Sequence, residues 1–285
     1  TNTVSASDNN TVAGDTNSLI NGSNNNAVSG GLHNLDDALN NQVSGLDNSL
    51  TNSEDNTVSG AYNDLTGSDL NQVTGFDNTL TDADSNTVAG TYNILNASNL
   101  NQVAGFSNDL LAGADSNQVA GSDNVLNASD SNTVSGNANE VTGGSDNNTV
   151  SGNANDLVLD ADNNQVSGDA NIVSASDNNT VSGFSNDLLA GADRNQVSGS
   201  NNTVNNSDNN TVAGDTNSLI NGSNSNTVSG NQNELDDALN NQVSGSLNDV
   251  VASDNNTVAG SSNEVETTSD NNQVAGNNND VFADA

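Results

Sequence analysis

The chain has no cysteine, methionine, proline or tryptophan in its 285 residues, and Arg194 is its single cationic side chain among Lys and Arg. Without cysteine there is no disulfide framework and no thiolate metal site, and the redox compartment stays open. Without methionine the chain reads as a processed product or a segment of something longer. A net charge of −36 argues against nucleic acid and anionic membrane surfaces, both of which need a cationic footprint. It favours solubility, tolerance of high salt, or multivalent cations. No apolar run approaches the ~18–20 residues of a membrane span, so membrane insertion is not expected. One histidine, no lysine and no phosphate-binding loop leave nothing to build catalysis on, and an enzyme is not expected.

Few aromatics and high polarity would ordinarily mean disorder. Here the polarity is periodic. Aligned on the valine of Asn-(Thr/Gln)-Val-(Ser/Ala)-Gly, the chain repeats every 15 or 16 residues from Val12, Val28 and Val43 to Val274, eighteen times in all. With valine as position zero, Asn holds −2 throughout (Asn10, Asn26, Asn41, Asn56, Asn71, Asn86 and onward), and Gly holds +2 (Gly14, Gly30, Gly45 and onward). Position +5 is Asn except at His33, +7 is Leu or Val, and −5 is Ser or Ala. Strand alternation turns Asn and Val inward and the residue between them outward. Gly at +2 suits a tight corner with positive φ. The sixteenth residue always falls between +7 and the next −5, the segment that tolerates insertion.

Such a pattern predicts an all-β fold: a single β-solenoid (β-roll) of about eighteen coils over residues 1–285, with two short strands per coil. One coil buries too little apolar surface to offset the entropy of ordering its residues, so coils must stack. Asn ladders inside the stack then bond the coils above and below. At the ~4.8 Å strand spacing, the stack would be roughly 85 Å long. Neither terminal coil carries a capping sequence, which reads as an array continued in its own chain or joined to copies end to end. Ser207–Asn224 nearly repeats Ser7–Asn24, and Phe106–Asp115 recurs at Phe184–Asp193, the mark of whole-coil duplication.

Several ranks are candidates for function. Position −4 is Asp in seven successive coils, Asp115, Asp130, Asp146, Asp162, Asp177, Asp193 and Asp208. Carboxylates ~4.8 Å apart repel, and a shared Ca²⁺ would relieve this; alternatively these are loop residues capping nearby backbone. The outward −1 rank carries Thr11, Thr57, Thr87, Thr133, Thr149, Thr180, Thr211, Thr227 and Thr257, broken by Gln in eight coils. With small residues at +1 it makes a flat face, suited to ordering water or to lateral packing between filaments. Tyr62, Phe76, Tyr92 and Phe106 form a short aromatic stripe that covers the corner or docks a partner. His33 reads as a substituted ladder residue, Arg194 as an ion pair with Asp193, and the Asn-x-Thr sequons as by-products of the repeat.

Stretches such as Asp8-Asn9-Asn10-Thr11-Val12-Ala13-Gly14 and Ser145–Gly152 resemble the Asn-x-Val-x-Gly repeats of the ryegrass-type ice-binding β-rolls. That resemblance implies a left-handed β-roll with a stacked Val core and Asn ladders. The chain departs from it in using Leu in the second half-repeat, in alternating Thr with Gln, and in its length and acidity. The repeat is also similar to bacterial extracellular β-solenoid adhesins and curli-type fibre subunits. The expected function is an extracellular or cell-surface fibre or adhesin stalk, self-associating end to end or laterally, with Ca²⁺ as the candidate stabilising cation. Ice binding through the flat Thr/Ser/Ala face is the alternative.

Overall fold

The computed structural model describes residues 1–282, and they are all β: no helix forms, so none is long and apolar enough to cross a membrane. The chain divides into two compact units, Thr1–Val141 and Thr142–Ala285. Each unit is a β-solenoid of stacked parallel strands.

In the first unit a coil runs as a five-residue strand, such as Thr57–Ala61, a corner, and a three-residue strand, such as Asp64–Thr66. Nine five-residue strands fall in each unit, one for every valine of the repeat. Neighbouring coils pair without slip. Val73 lies between Val58 and Val88, and Gly75 between Gly60 and Gly90. On the short strands Leu65 lies between Leu50 and Leu80. The second unit repeats the scheme, with Val166 between Val150 and Val181 and Leu235 between Leu219 and Val250. Because a one-residue slip would turn every buried valine outward, the repeat itself pins the register.

The core is narrow. Valine at zero, Leu or Val at +7 and Ser or Ala at −5 fill it, and Val73, Leu80 and Ala83 are each 0% exposed. Two inner Asn ladders flank this seam. Asn56 Oδ1 accepts the backbone N–H of Asn71 at 2.8 Å, and Asn56 Nδ2 donates to Asn41 Oδ1 at 3.1 Å and to the Ser68 carbonyl at 2.7 Å. In the +5 ladder Asn78 makes the matching bonds, to Asn63 Oδ1 at 2.8 Å and to the Gly90 carbonyl at 3.0 Å. A buried amide is tolerable only when such partners exist, and these ladders supply them in most coils, although Asn256 Nδ2 and Asn272 Nδ2 are buried without one. Serine at −5 adds a third: Ser53 Oγ donates to the Thr51 carbonyl at 2.9 Å and accepts the Ser68 N–H at 3.2 Å.

Gly at +2 has positive φ, as expected, but it does not form the corner. Gly75, with φ 131°, lies inside the strand Gln72–Phe76, which pairs through it with both neighbouring coils. A Cβ on Gly75 would lie 1.8 Å from the Gly90 carbonyl oxygen, so the close approach of coils excludes every side chain. The corners fall instead at three left-handed positions in each fifteen-residue coil, and most sixteen-residue coils add a fourth, as where Leu159 and Asp160 follow one another. Around Val73 these are Leu70 (φ 60°), Asp77 (φ 57°) and Asp82 (φ 47°). Each donates its backbone N–H to the preceding coil: Leu70 to Glu54, Asp77 to Ala61 and Asp82 to Thr66, at 2.9–3.0 Å.

Candidate functional site

Function in such a stack resides in ranks of outward side chains, because a rank repeats one chemistry at the coil spacing. Four ranks carry distinctive chemistry.

The first is the −4 rank. Within each unit its carboxylates do not converge; they stand in file and cap the coil before. Asp162 Oδ1 accepts the backbone N–H of Asp146 at 2.7 Å, Asp177 that of Asp162 at 2.8 Å, and Asp193 that of Asp177 at 2.8 Å. Asp208 does the same for Asp193 at 2.9 Å, and in the first unit Asp130 for Asp115 at 2.8 Å. Asn99 and Asn224 occupy the same place and make the same bond, to Asp84 and Asp208. The amide bond therefore needs only a side-chain carbonyl oxygen, and the negative charge of Asp is surplus to it. Among the described residues no three acidic or histidine side chains gather as a metal-holding group.

Arg194 departs from the expected pair with Asp193. Its guanidinium reaches forward to Asp208 Oδ2 at 3.5 Å, and its Nε donates to Asn209 Oδ1 at 3.0 Å. The reason is direction: Asp193 turns its Oδ1 back toward the Asp177 N–H, away from its sequence neighbour.

The second rank is the outward face of the five-residue strands. Thr11, Thr57, Thr87 and Thr133 in the first unit are exposed, as are Thr149, Thr180, Thr211, Thr227 and Thr257 in the second. Shallow troughs run between the −1 and +1 residues, floored by the valines; one is lined by Thr87, Ala89, Gln102, Ala104 and Gln118. Another in the second unit is lined by Thr149, Ser151, Gln165, Ser167 and Thr180.

The third rank is the +6 position on the short strands, whose residues vary from coil to coil and include Asp, Glu, Ser, Thr and Ile. Glu234, Asp249, Glu264 and Asp280 stand in register in four successive coils. Burial pushes the Asp249 carboxyl above the ordinary carboxylate range, aided by Glu234, Glu266 and Asp236, and its Oδ1 has no hydrogen-bond partner. The Glu264 carboxyl is also raised, first by its hydrogen bond with Glu266. In the first unit burial raises Asp64 and Asp109 in the same rank.

The fourth is the aromatic stripe. Tyr62 and Phe76 meet edge to face with centroids 5.2 Å apart, Phe76 and Tyr92 at 5.8 Å, and Tyr92 and Phe106 at 5.6 Å. All four remain 40–49% exposed. Leu32 and Leu46 prolong the stripe by two coils, 49% and 42% exposed at the same corner. Sequence reasoning passed over these leucines because it looked for rings, although they share the aromatic positions +4 and +3.

His33 sits in the +5 ladder as a true substitute. Its Nδ1 accepts the Asn48 backbone N–H at 3.2 Å, and its Nε2 lies 3.1 Å from the Ser29 carbonyl, which fixes the proton on Nε2. Burial pushes its pKa below the ordinary 6.5, against smaller opposing contributions led by the Ser29 carbonyl.

Compared with known proteins, the chain matches no family model and no curated sequence.

Proposed function

We propose that this chain is a structural element, a stretch of extracellular fibre or stalk built by stacking β-solenoid coils. The observation that carries this reading is the equivalence of the coils. Within each unit most coils take the same ladder bonds from the coil before and offer the same acceptors to the next, as Asn41, Asn56 and Asn71 do; Asn256 and Asn272 keep the backbone bond but leave Nδ2 unpartnered. Any coil's face is therefore complementary to any other's, so a copy of the chain can extend the stack as its own next coil does. Among the described residues no rank is interrupted by a gathered group of three or more His, Cys, Asp or Glu side chains. The surplus charge of the −4 aspartates suits a surface that holds fibres apart, or binds Ca²⁺ between them.

The test is direct imaging of the purified protein by electron microscopy across a series of salt and Ca²⁺ concentrations. Filaments several times longer than one molecule are expected. Single short particles under every condition would sink the proposal.

A second reading, ice binding, is favoured by one specific feature: the exposed threonines of the −1 rank and the small +1 residues form flat, troughed faces. Gln102 and Gln118 project into the same face and break its regularity. Absence of thermal hysteresis and ice shaping at high protein concentration would end that reading.

A further inference from the structure

The outward face of the five-residue strands is free of charge. It presents two positions per coil, −1 and +1, and in all eighteen coils these are Thr, Gln, Ser or Ala. At the chain's overall 13% of charged residues, about five charges would fall on those thirty-six positions. The short strands are different: Asp64, Asp109, Glu234 and Asp249 all stand at their outward +6 position. An exposed site commonly accepts a substitution within about 0.5 kcal/mol, so the stability of a coil does not require this segregation.

The face also has relief. Gln72 stands in register between Thr57 and Thr87 in the first unit, and Gln165 between Thr149 and Thr180 in the second. The alternation runs through five coils in each unit, over residues 42–102 and 149–211. Glutamine is the longer side chain, so these coils carry teeth about 9.6 Å apart with gaps over the threonines. Beside the teeth each unit has two valine-floored troughs between the −1 and +1 ranks. A second copy, face to face and shifted by one coil, sets its teeth over these gaps. Each glutamine amide then meets a threonine hydroxyl across a closely interdigitated seam.

Charge favours the same occupant. Sheets pack ~10 Å apart, so face-to-face copies hold their +6 carboxylates ~30 Å from each other, about three screening lengths at 0.1 M salt. Approach through the short strands would set those carboxylates against each other across only ~10 Å. Asp15, Asp169 and Asp215, at +3, fall at the rim of the seam, where water screens them. Area is adequate. Nine coils give a face ~43 Å long and −1 to +1 spans ~10 Å, or roughly 430 Å² per unit. With both units engaged, each copy contributes ~860 Å², against the ~800 Å² per partner of a stable interface.

We propose that the Thr/Gln face is a pairing surface for a second copy of this chain, closed by interdigitation of the two −1 ranks. This lateral pairing is separate from end-to-end growth: filament width reports on the face and filament length on the coil ends.

The full chain is sedimented from about 1 µM to about 200 µM in ~0.1 M salt, where the screening length is ~10 Å. A reversible doubling of mass, or of mass per length where filaments form, is expected. Gln72→Glu/Gln165→Glu/Gln196→Glu is isosteric and places each new charge between threonines of its own stack. It should weaken pairing at least about tenfold with an unchanged circular dichroism spectrum. Asn34→Glu/Thr79→Glu/Thr203→Glu adds the same charge at +6 and should stay within about twofold of the parent. A second readout needs no charged variant. The chain has no cysteine, so Thr87→Cys on the face and Asn34→Cys at +6 each provide a single exposed thiol. Alkylation at Thr87→Cys should slow several-fold as concentration rises through the pairing range, and at Asn34→Cys it should not change. A chain that stays single throughout, whether or not it shapes ice, overturns the proposal. So does pairing that both charged variants weaken equally, pairing that neither weakens, or pairing that leaves the face thiol as reactive as before.

Discussion

The residue most constrained in this molecule is the glycine at +2, and two separate demands fall on it. Gly75 has φ 131° and no room for a Cβ against the Gly90 carbonyl; Gly113 has φ 86° but nothing within 4 Å of the Cβ position. The two therefore separate strain from contact. Gly113→Ala should cost about 1 kcal/mol, the penalty of a left-handed backbone alone. Gly75→Ala must also push two coils apart, and about 3–5 kcal/mol is expected. Urea unfolding followed by tyrosine fluorescence decides between them, since Tyr62 and Tyr92 flank Gly75 in sequence. Equal midpoints for the two variants would show that the stack yields easily at glycine. The absence of proline has a related cause: corner residues such as Leu70, Asp77 and Asp82 need positive φ and donate their N–H groups to the preceding coil. His33 adds a pH dependence of its own. Its folded pKa lies below 6.5, so the unfolded chain takes up a proton first. Stability from this site is complete above pH 6.5 and falls as pH drops toward the lowered folded pKa. His33→Asn, which restores the ladder residue, should abolish that loss; a midpoint that still declines equally over this window would assign it to other groups.

At the scale of the coil, the alternation of Asn and Val made the inward ranks legible, because a strand has only two faces and the repeat filled one of them identically each time. The left-handed corners were not legible. Tyr62, Leu70 and Ala97 occupy them although none favours positive φ, and the N–H bonds to the preceding coil offset that strain. Arg194 was misassigned for a similar reason: in a stack the nearest neighbour lies fourteen or fifteen residues away, at Asp208 and Asn209. The acidic file Glu234, Asp249, Glu264 and Asp280 was present in the sequence, but it emerges only when +6 is read down the coils. That file leads to a prediction. Asp249 is held above the ordinary range by burial and by its acidic neighbours, so its charge destabilises the fold at neutral pH. As pH falls through this raised pKa toward the ordinary carboxylate value of 3.8, the native state binds the proton first and gains stability. Asp249→Asn should raise the unfolding temperature at pH 7 and flatten this acid-side gain. After allowance for solvent screening the effect is about 0.5 kcal/mol. A variant less stable than the parent at neutral pH would mean that the carboxylate holds a bond its neighbours do not reveal.

For the whole molecule the governing quantity is charge. Duplicated segments preserve their bonds: Asn21 donates to Asp36 at 2.7 Å in the first unit, and Asn221 to Asp236 at 2.8 Å in the second. Coils can thus be copied without new design, but each copy adds carboxylates, and 37 acidic residues face a single arginine. Association of two such molecules brings −36 against −36, while the bonds gained at a coil face are short-ranged and insensitive to salt. Salt should therefore control whether fibres grow. Between about 0.01 M and 0.1 M the screening length falls from ~30 Å to ~10 Å, which removes most repulsion beyond the contacting coils. Light scattering at fixed protein concentration should show a lag that shortens steeply across this range. Millimolar Ca²⁺ should shorten it further than sodium at equal ionic strength if the −4 aspartates bridge copies. Replacing Asp146, Asp162 and Asp177 together with Asn retains the oxygen each offers to the preceding amide and removes three charges. That variant should assemble at lower salt and lose its special response to Ca²⁺. A lag indifferent to salt and to these three charges would place the barrier to assembly elsewhere than in electrostatic repulsion.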